Sequence, residues 1–295
     1  MNDPKSVVVR YVEAVRDGDL DVIRDSFAPD AVWHYPGQVP VLAGEWRGRD
    51  TIVNDFLGSM GVLFAPGGAP AVALVNAFAA GNQVLAEWTS KGTAANGSPY
   101  DVLCAGVYTV EDGRITRVRE FADTLGVTTS LFPDRLDETP TAAPAPQAPT
   151  AGVAEAADGS SAAVARRFLD GMRDADPAAM AASLAEDAVW VFPEGVPPMS
   201  GAWKGRDVVL RDFFGQAGTT FRAGTRRDVT LTDLFAEGDQ VFAAWTTAGT
   251  ARSGAAYLNH CGAVFTVRDG AIAQVREYAD TLHVARVLFP ERFAG

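Results

Sequence analysis

The chain has 295 residues, a formal net charge of −12 at pH 7 and a pI near 4.7. Hydrophobic residues make up 47% of it and charged residues 21%, which is typical of a soluble globular protein. The acidic balance and the absence of any stretch rich in Lys and Arg exclude a nucleic acid as the expected partner.

No run of about 18 apolar residues occurs, so we expect no membrane span and no membrane partner. The start of the chain lacks the apolar core of a signal peptide, and a cytoplasmic location is expected. Two cysteines are present, Cys104 and Cys261, both on apolar segments predicted as strands. We expect two separate buried thiols rather than a disulfide bridge.

The sequence contains two copies of one pattern at a constant offset of 157 residues. At this offset Trp33 corresponds to Trp190, and Trp88 corresponds to Trp245. No gap is needed from the first predicted helix to the end of each copy. A repeat of this length indicates a tandem duplication of one domain rather than a solenoid.

The length of the chain allows two domains of ordinary size, each with its own core. We predict a first domain over residues 1–138 and a second over residues 161–295. The intervening residues 139–160 are rich in Ala, Pro, Thr and Gly, which predicts a flexible or partly extended linker.

In each copy the predicted helices come first. Residues 4–17 carry apolar side chains at helical spacing, and a second short helix follows over residues 20–27. The equivalent helices of the second copy span residues 162–173 and 177–184. Residues 31–35 then alternate as a strand that stops at a proline.

A third helix is predicted over residues 51–60, with a counterpart over residues 207–215. The hydrophobic period then changes to two, and Gly-containing turns separate the segments, which predicts a meander of antiparallel strands. Helices followed by such strands indicate an α+β fold, with a curved sheet folded over the helices around an interior. The predicted strands of the first copy span residues 71–80, 83–93, 100–110 and 114–123.

The last predicted strand of each copy ends on a carboxylate. Because side chains alternate along a strand, Arg119, Phe121 and Asp123 share one face in the first copy. Tyr278 and Asp280 share the equivalent face in the second. A base, an aromatic ring and an acid therefore line one surface, which is a candidate site if that surface faces a pocket.

Three motifs carry a resemblance to a known family. They read AVWHYPG or AVWVFPE, then WRGRDTIVNDF or WKGRDVVLRDFF, and finally VEDGRITRVREFAD or VRDGAIAQVREYAD. Their order and spacing, present twice, resemble the SnoaL-like branch of the nuclear-transport-factor-two and ketosteroid-isomerase superfamily. The resemblance implies two tandem cone-shaped α+β barrels, each a bent antiparallel sheet wrapped around helices and a hydrophobic cavity.

The resemblance also implies roles for particular residues. Asp280 and Asp123 match the strand-terminal acid that serves as a general base in epoxide hydrolases and as an acid/base residue in polyketide cyclases. Steroid isomerases place their base at the positions of Tyr35 and Phe192, so isomerisation by that mechanism is not expected. Asp101 matches a second acid of limonene epoxide hydrolase in the first copy alone.

Asp280 has two interpretations. In an apolar cavity its charged form is disfavoured, which raises its pKa toward the range useful for proton transfer. Alternatively, Asp280 caps a helix predicted over residues 281–287, since Asp is a favoured N-cap residue. The same alternatives hold for Asp123.

The most polar stretch on a predicted core strand comprises Tyr257, Asn259 and His260. Buried polar side chains need partners, and a ligand would supply them. His260 has an unperturbed pKa near 6.5 and suits proton transfer, although a structural histidine is the alternative. Alternation places His260 on the face opposite Tyr257 and Asn259, and the orientation of His34 in the first copy is likewise open.

Aromatic residues that correspond between the copies are expected in the core or in a pocket wall. Trp88 and Trp245, in mid-strand, are the stronger candidates for a pocket wall. The expected substrate-binding residues are Trp33, Tyr35, Trp88, Tyr100, Trp190, Phe192, Trp245, Asn259 and Tyr278.

We expect a cofactor-independent acid/base enzyme that acts on a small apolar or polyketide-like molecule by cyclisation or isomerisation. Asp280 would be the base in the second copy, with Tyr257, Asn259 and His260 donating or orienting. Asp123 would serve the first copy, and the second copy is expected to be the more active.

Two other functions stay open at this point: epoxide opening, as a hydrolase or a cyclase, and binding of a small apolar ligand without catalysis. The sequence has no His, Cys and acid cluster at ligand spacing and no phosphate-binding glycine loop, so no metal and no cofactor are expected. The two copies are expected to pack as an intramolecular pseudo-dimer, and further homo-oligomers are possible partners.

Overall fold

The computed structural model describes residues 3–138, 153, 156–196 and 198–293. The chain divides into two compact units, Met1–Ala145 and Pro146–Gly295. Most of the predicted linker, residues 139–160, lies outside the described residues, so its conformation and the domain boundaries stay predictions.

The first unit contains helices and one six-stranded sheet. Its helices are α1 (Pro4–Asp17), α2 (Leu20–Ser26), a π-helical segment (Thr51–Leu57) continued by α3 (Gly58–Val62), and α4 (Thr124–Leu131). Its strands are β1 (Phe27–Tyr35), β2 (Gly44–Arg47), β3 (Ala71–Ala80), β4 (Gln83–Thr93), β5 (Pro99–Glu111) and β6 (Arg114–Ala122).

The second unit repeats the same order. Its helices are α5 (Ser161–Asp174), α6 (Pro177–Ser183), α7 (Arg206–Val208) continued by a π-helical segment (Val209–Phe214) and α8 (Gly215–Thr219), and α9 (Thr281–Leu288). Its strands are β7 (Leu184–Phe192), β8 (Gly201–Lys204), β9 (Asp228–Glu237), β10 (Gln240–Thr250), β11 (Ala256–Arg268) and β12 (Ala271–Ala279).

The sheet order is β2-β1-β6-β5-β4-β3 in the first unit and β8-β7-β12-β11-β10-β9 in the second. The four strands β3 to β6 pair antiparallel, as the alternation predicts, whereas β1 pairs parallel with β6. Register shifts between β3 and β4 and between β5 and β6 mark bulges, which bend a sheet. The predicted α+β fold is confirmed in both units.

Local sequence explains where the first helix begins and ends. Asp3 accepts a hydrogen bond from the Ser6 backbone N–H at 3.1 Å, and Pro4 occupies the first helical position. Gly18 ends the helix with a φ of 71°, a conformation that glycine adopts without a steric cost. The buried side of α1, which includes Val8 and Tyr11, packs against the sheet.

Within the described residues, none of the helices has both the length and the apolar character needed to span a membrane.

Candidate active site

The first domain contains an internal cavity of about 280 Å³ between its sheet and its helices. Apolar and aromatic side chains form most of the wall. Residues from α1, the π-helical segment and five strands contribute, including Val15, Leu57, Trp88, Tyr108 and Glu120.

Glu120 on β6 places a carboxyl group in the wall of this cavity. Its neighbours on the same strand face, Val118 and Ala122, are buried, and Glu120 itself is only 6% exposed. The indole Nε1 of Trp33 donates a hydrogen bond to Glu120 Oε2 at 3.0 Å. This contact follows from the fold, since Trp33 pairs with Val118 where β1 runs parallel to β6.

Burial raises the pKa of Glu120 from 4.5 to about 8, because the surroundings disfavour the charged form. The side chains of Trp33 and Cys104 act in the opposite direction and offset part of the rise. The carboxyl group is therefore protonated over much of the neutral range, with a pKa close to working pH. A group with this pKa can both accept and return a proton.

Four tyrosines add hydroxyl groups to the same cavity: Tyr11, Tyr35, Tyr100 and Tyr108. Burial raises the pKa of each well above its usual value, so the phenols stay protonated and act as donors. Across the described parts of the chain, no hydrogen bond joins the phenol oxygens of Tyr11, Tyr35 and Tyr108 to another protein group. These three hydroxyls are available to an oxygen atom of a bound molecule.

The second domain has an equivalent but smaller cavity, of about 80 Å³. Glu277 on β12 corresponds to Glu120, and Trp190 Nε1 donates a hydrogen bond to Glu277 Oε2 at 2.8 Å. Burial raises the pKa of Glu277 from 4.5 to about 7. The indole and carboxyl pair therefore occurs in both domains.

Larger side chains explain the smaller volume. Phe214 occupies the position of Leu57, and its ring packs edge-on against Trp190 with a centroid distance of 5.0 Å. Met172 occupies the position of Val15. The second cavity also loses three phenols, because the residues that correspond to Tyr11, Tyr35 and Tyr108 are Phe168, Phe192 and Phe265.

Most of the aromatic residues predicted to bind substrate line a cavity. Those of the first cavity are Trp33, Tyr35, Trp88 and Tyr100. Those of the second cavity are Trp190, Phe192 and Trp245, and Tyr257, which was predicted to be catalytic, also lines this cavity. Tyr278 is buried but lies outside the set of side chains that line the second cavity.

Asp123 and Asp280 lie at helix N-termini, outside the sets of residues that line the cavities. Asp123 accepts a hydrogen bond from the Gly126 N–H at 3.0 Å and begins α4. Asp280 accepts one from the His283 N–H at 3.2 Å and begins α9. The cap interpretation describes this geometry, and a role of either residue in proton transfer stays a prediction.

Asn259 holds the start of α9 in place. Its Nδ2 donates to Tyr257 Oη at 3.0 Å and to the Asp280 carbonyl at 3.1 Å, and its Oδ1 accepts from the Asp280 N–H at 3.2 Å. Asn259 is fully buried and finds its partners within the protein. His260 is half-buried on the opposite face of β11 and does not line the cavity, so its predicted catalytic role remains untested.

Asp101 does not line the first cavity, where the resemblance to limonene epoxide hydrolase would place it. Its side chain is exposed and pairs with Lys91 Nζ at 2.9 Å. The reason is alternation along β5, which turns Tyr100 into the cavity and Asp101 outward. The expectation that Asp101 contributes to a water-activating site is therefore wrong.

Both cysteines are free and buried, as expected, and each lines the cavity of its own domain. Burial raises the pKa of both thiols well above the usual value, so neither has the character of a reactive thiolate. Among the described residues, no group of three or more His, Cys, Asp or Glu side chains is arranged to hold a metal ion.

Glu120 and Glu277 were not among the residues that the sequence predicted. Both precede the aromatic residue of the final motif, so alternation turns them away from the face that holds the aspartates. The available signal was the character of their strand face. Each Glu alternates with a Val and an Ala, which places a carboxyl group on the core side of the strand.

Each unit is a cavity-containing α+β domain with one carboxyl group in the cavity wall, and the two units are tandem copies of one plan. The family model of the SnoaL-like domain matches residues 8–118 and residues 165–275. The chain therefore belongs to the SnoaL-like domain family, as two tandem members, and the resemblance seen in the sequence is confirmed. No curated protein matches the chain.

Three solved structures that are similar to this chain illustrate the match, and each covers less than half of it. An NTF2-like protein from Burkholderia thailandensis is 25% identical, with a TM-score of 0.41, and covers 44% of this chain and 98% of its own. An NTF2-like protein of unknown function from Burkholderia pseudomallei is 22% identical, with a TM-score of 0.40, and it also covers 44% of this chain and 98% of its own. TerC, co-crystallised with polyporic acid, is 22% identical, with a TM-score of 0.40 and the same shares.

Proposed function

We propose that the first domain is a cofactor-independent acid/base enzyme that acts on a small, largely apolar molecule. The observation that carries this proposal is the carboxyl group of Glu120, with a pKa of about 8, in the wall of an apolar cavity of about 280 Å³. Such a carboxyl group gives and takes protons near neutral pH, which is the requirement for general acid/base catalysis.

The cavity wall limits the substrate. It carries no Lys, Arg or His side chain among the described residues, so a charged anion has no counterpart there. Aromatic and aliphatic side chains surround the space, and the phenol groups offer hydrogen bonds to oxygen. The proposed substrate class is therefore a neutral, ring-sized molecule with a carbonyl or hydroxyl group, which includes polyketide-like compounds.

The proposed reaction begins when the ionised Glu120 removes a proton from a carbon next to a carbonyl group. A phenol of Tyr11, Tyr35 or Tyr108 then donates a hydrogen bond to the oxygen where negative charge develops. Return of the proton to another carbon gives isomerisation. In cyclisation the carbanion attacks a second carbonyl, whose C=O π bond opens to an alkoxide, and Glu120 returns the proton to that oxygen. Each outcome uses side chains alone.

The protonated form of Glu120 also supports epoxide opening, because a neutral carboxylic acid at neutral pH can give its proton to the epoxide oxygen. The water-activating acid that Asp101 was expected to supply is absent from the cavity. We therefore rank epoxide opening below isomerisation and cyclisation. Roles for Asp280, Tyr257 and His260 in a second active site are a separate hypothesis.

The proposal is tested with 5-nitrobenzisoxazole, an apolar probe whose N–O bond breaks to give a coloured phenolate when a base removes its C–H proton. We expect the full-length protein to accelerate this reaction, and Glu120→Gln to lose at least about a hundredfold of the rate. Glu277→Gln is the matched control and should keep the rate.

The same experiment separates an enzyme from a binding protein. If the probe binds the wild-type protein without any acceleration over buffer, the first domain is a ligand carrier and the catalytic proposal is wrong. An equal rate for wild type and Glu120→Gln would equally contradict the assignment of Glu120. Retained affinity of Glu120→Gln for the probe, measured by quenching of tryptophan fluorescence, would show that the variant cavity is intact.

A further inference from the structure

A single cation lines the second cavity, and the first cavity has no equivalent. Arg227 immediately precedes β9, and the position that corresponds to it in the first domain is Pro70. The guanidinium group of Arg227 lies over the ring of Phe221, with 5.5 Å from Cζ to the ring centroid. Arg227 gives the second cavity a charged group where Pro70 gives the first cavity an apolar one. This difference indicates that the two cavities bind different ligands.

Arg227 is the cation of this wall, and the carboxyl group of Glu277 in the same wall has its pKa raised to about 7 by burial. The adjacent Arg226 is exposed and pairs with Asp228 at 2.5 Å, whereas Arg227 is half-buried and forms no ion pair within the part of the chain that the structure describes. Partial burial lowers the pKa of Arg227, because the charged form has lost solvent. A desolvated cation is costly unless an anion or hydrogen-bond acceptors compensate for the lost water.

The rest of the wall fixes the size and character of the missing anion. A volume of about 80 Å³ holds several water-sized groups, since one water needs roughly 10 to 15 Å³ by this measure. The remaining wall is mainly apolar, and besides Phe221 and Val229 it includes the carboxyl group of Glu277. A ligand that fits has one charged end and a short apolar chain.

We propose that the cavity of the second domain binds a short-chain monocarboxylate, with its carboxylate paired to the guanidinium group of Arg227 and its alkyl chain among the apolar side chains. A planar guanidinium matches a carboxylate with two parallel hydrogen bonds. This site is independent of the acid/base function proposed for the first domain. It makes the two domains a pair of cavities with unlike ligands.

The test compares butyrate with butyramide, a neutral molecule of nearly the same shape, on the full-length protein by isothermal titration calorimetry and by NMR. Wild type and Arg226→Gln, the matched control, are expected to bind butyrate and not butyramide. Arg227→Gln is expected to bind butyrate at least about tenfold more weakly. Chemical shift changes on binding should fall on residues of the second cavity.

Equal binding of butyrate by wild type and Arg227→Gln would overturn the proposal, as would equal binding of butyrate and butyramide by wild type. A failure of wild type to bind butyrate at all has the same consequence. Thermal unfolding of Arg227→Gln shows whether the variant is folded. If it is not, Phe214→Trp, which fills the cavity and leaves Arg227 in place, replaces it and should abolish butyrate binding.

Discussion

Trp33 holds the carboxyl group of Glu120 by a hydrogen bond of 3.0 Å from its indole Nε1 to Oε2. The same bond, of 2.8 Å, joins Trp190 to Glu277 in the second domain. The two domains thus keep one acid in one orientation while the cavity beside it shrinks from about 280 to about 80 Å³. What distinguishes the domains is the space and the polar groups around this acid.

The raised pKa of Glu120 predicts that stability falls as the pH rises. The folded state keeps the proton up to a pKa of about 8, whereas the unfolded chain releases it near 4.5. Between these values the unfolded state binds fewer protons, so the free energy of unfolding decreases by up to about 1.4 kcal/mol per pH unit. Urea unfolding at a series of pH values gives the free energy of unfolding as a function of pH. This free energy should decrease less steeply with pH for Glu120→Gln than for wild type. Parallel slopes for the two proteins would contradict this expectation.

The phenols of the first cavity are predicted to serve the reaction and not the fold. Replacement of Tyr11, Tyr35 and Tyr108 together by Phe, which reproduces the second domain, should lower kcat by about a hundredfold. The free energy of unfolding should change by less than about 1 kcal/mol, because these hydroxyls have no protein partner among the described residues. Turnover and urea unfolding of the triple variant check both statements. An unchanged kcat would remove the tyrosines from the mechanism.

Filling the first cavity is predicted to abolish its function without damage to the fold. Leu57→Phe introduces the ring that Phe214 contributes to the second cavity. We expect loss of probe binding and of turnover, with no decrease in the thermal midpoint, because the ring enters existing space. Phe214→Leu is the matched control and should leave the activity of the first domain unchanged. Wild-type turnover by Leu57→Phe would place the reaction elsewhere.

Asp123 and Asp280 give opposite expectations as helix caps and as catalytic bases. If the two residues act as caps, replacement of either by Ala should lower the protein's free energy of unfolding by about 1 kcal/mol. Replacement by Asn, which also caps helices, should lower it by much less. If Asp280 is the catalytic base, the variant Asp280→Asn should lose turnover. Because Glu120 is the proposed base, we expect Asp280→Asn to keep full turnover of 5-nitrobenzisoxazole. A hundredfold loss in that variant would restore Asp280 as the base.

The sequence predicted the architecture well because its signals were periodic and present twice. The offset that relates Trp33 to Trp190 identified the duplication, and alternation with Gly-containing turns identified four antiparallel strands in each copy. The short strand Gly44–Arg47 and the parallel pairing of β1 with β6 were missed. The strand Gly44–Arg47 has only four residues, too few for a clear alternation, and the parallel pairing depends on contacts between distant parts of the chain.

The candidate site was harder to predict, because the choice between the two carboxylates of the final motif depends on which face of β6 is inward. Glu120 and Asp123 lie three residues apart, and the family resemblance directed attention to the aspartate. In the structure Glu120 lines the cavity, and Asp123 is the N-cap residue of α4. The larger residues Phe214 and Met172 are visible in the sequence, but the difference in cavity volume could not be predicted from them, because only the fold shows that these positions line the cavity.

The protonation of Glu120 can be followed directly by a pH titration of the glutamate side-chain carboxyl resonances, by carbon-13 NMR on the full-length protein. We expect one resonance that titrates near pH 8 and is absent from Glu120→Gln, and a second that titrates near pH 7 and is absent from Glu277→Gln. If every glutamate titrates near 4.5, the carboxyl group of Glu120 is an ordinary solvated acid, and the proposed acid/base site is contradicted.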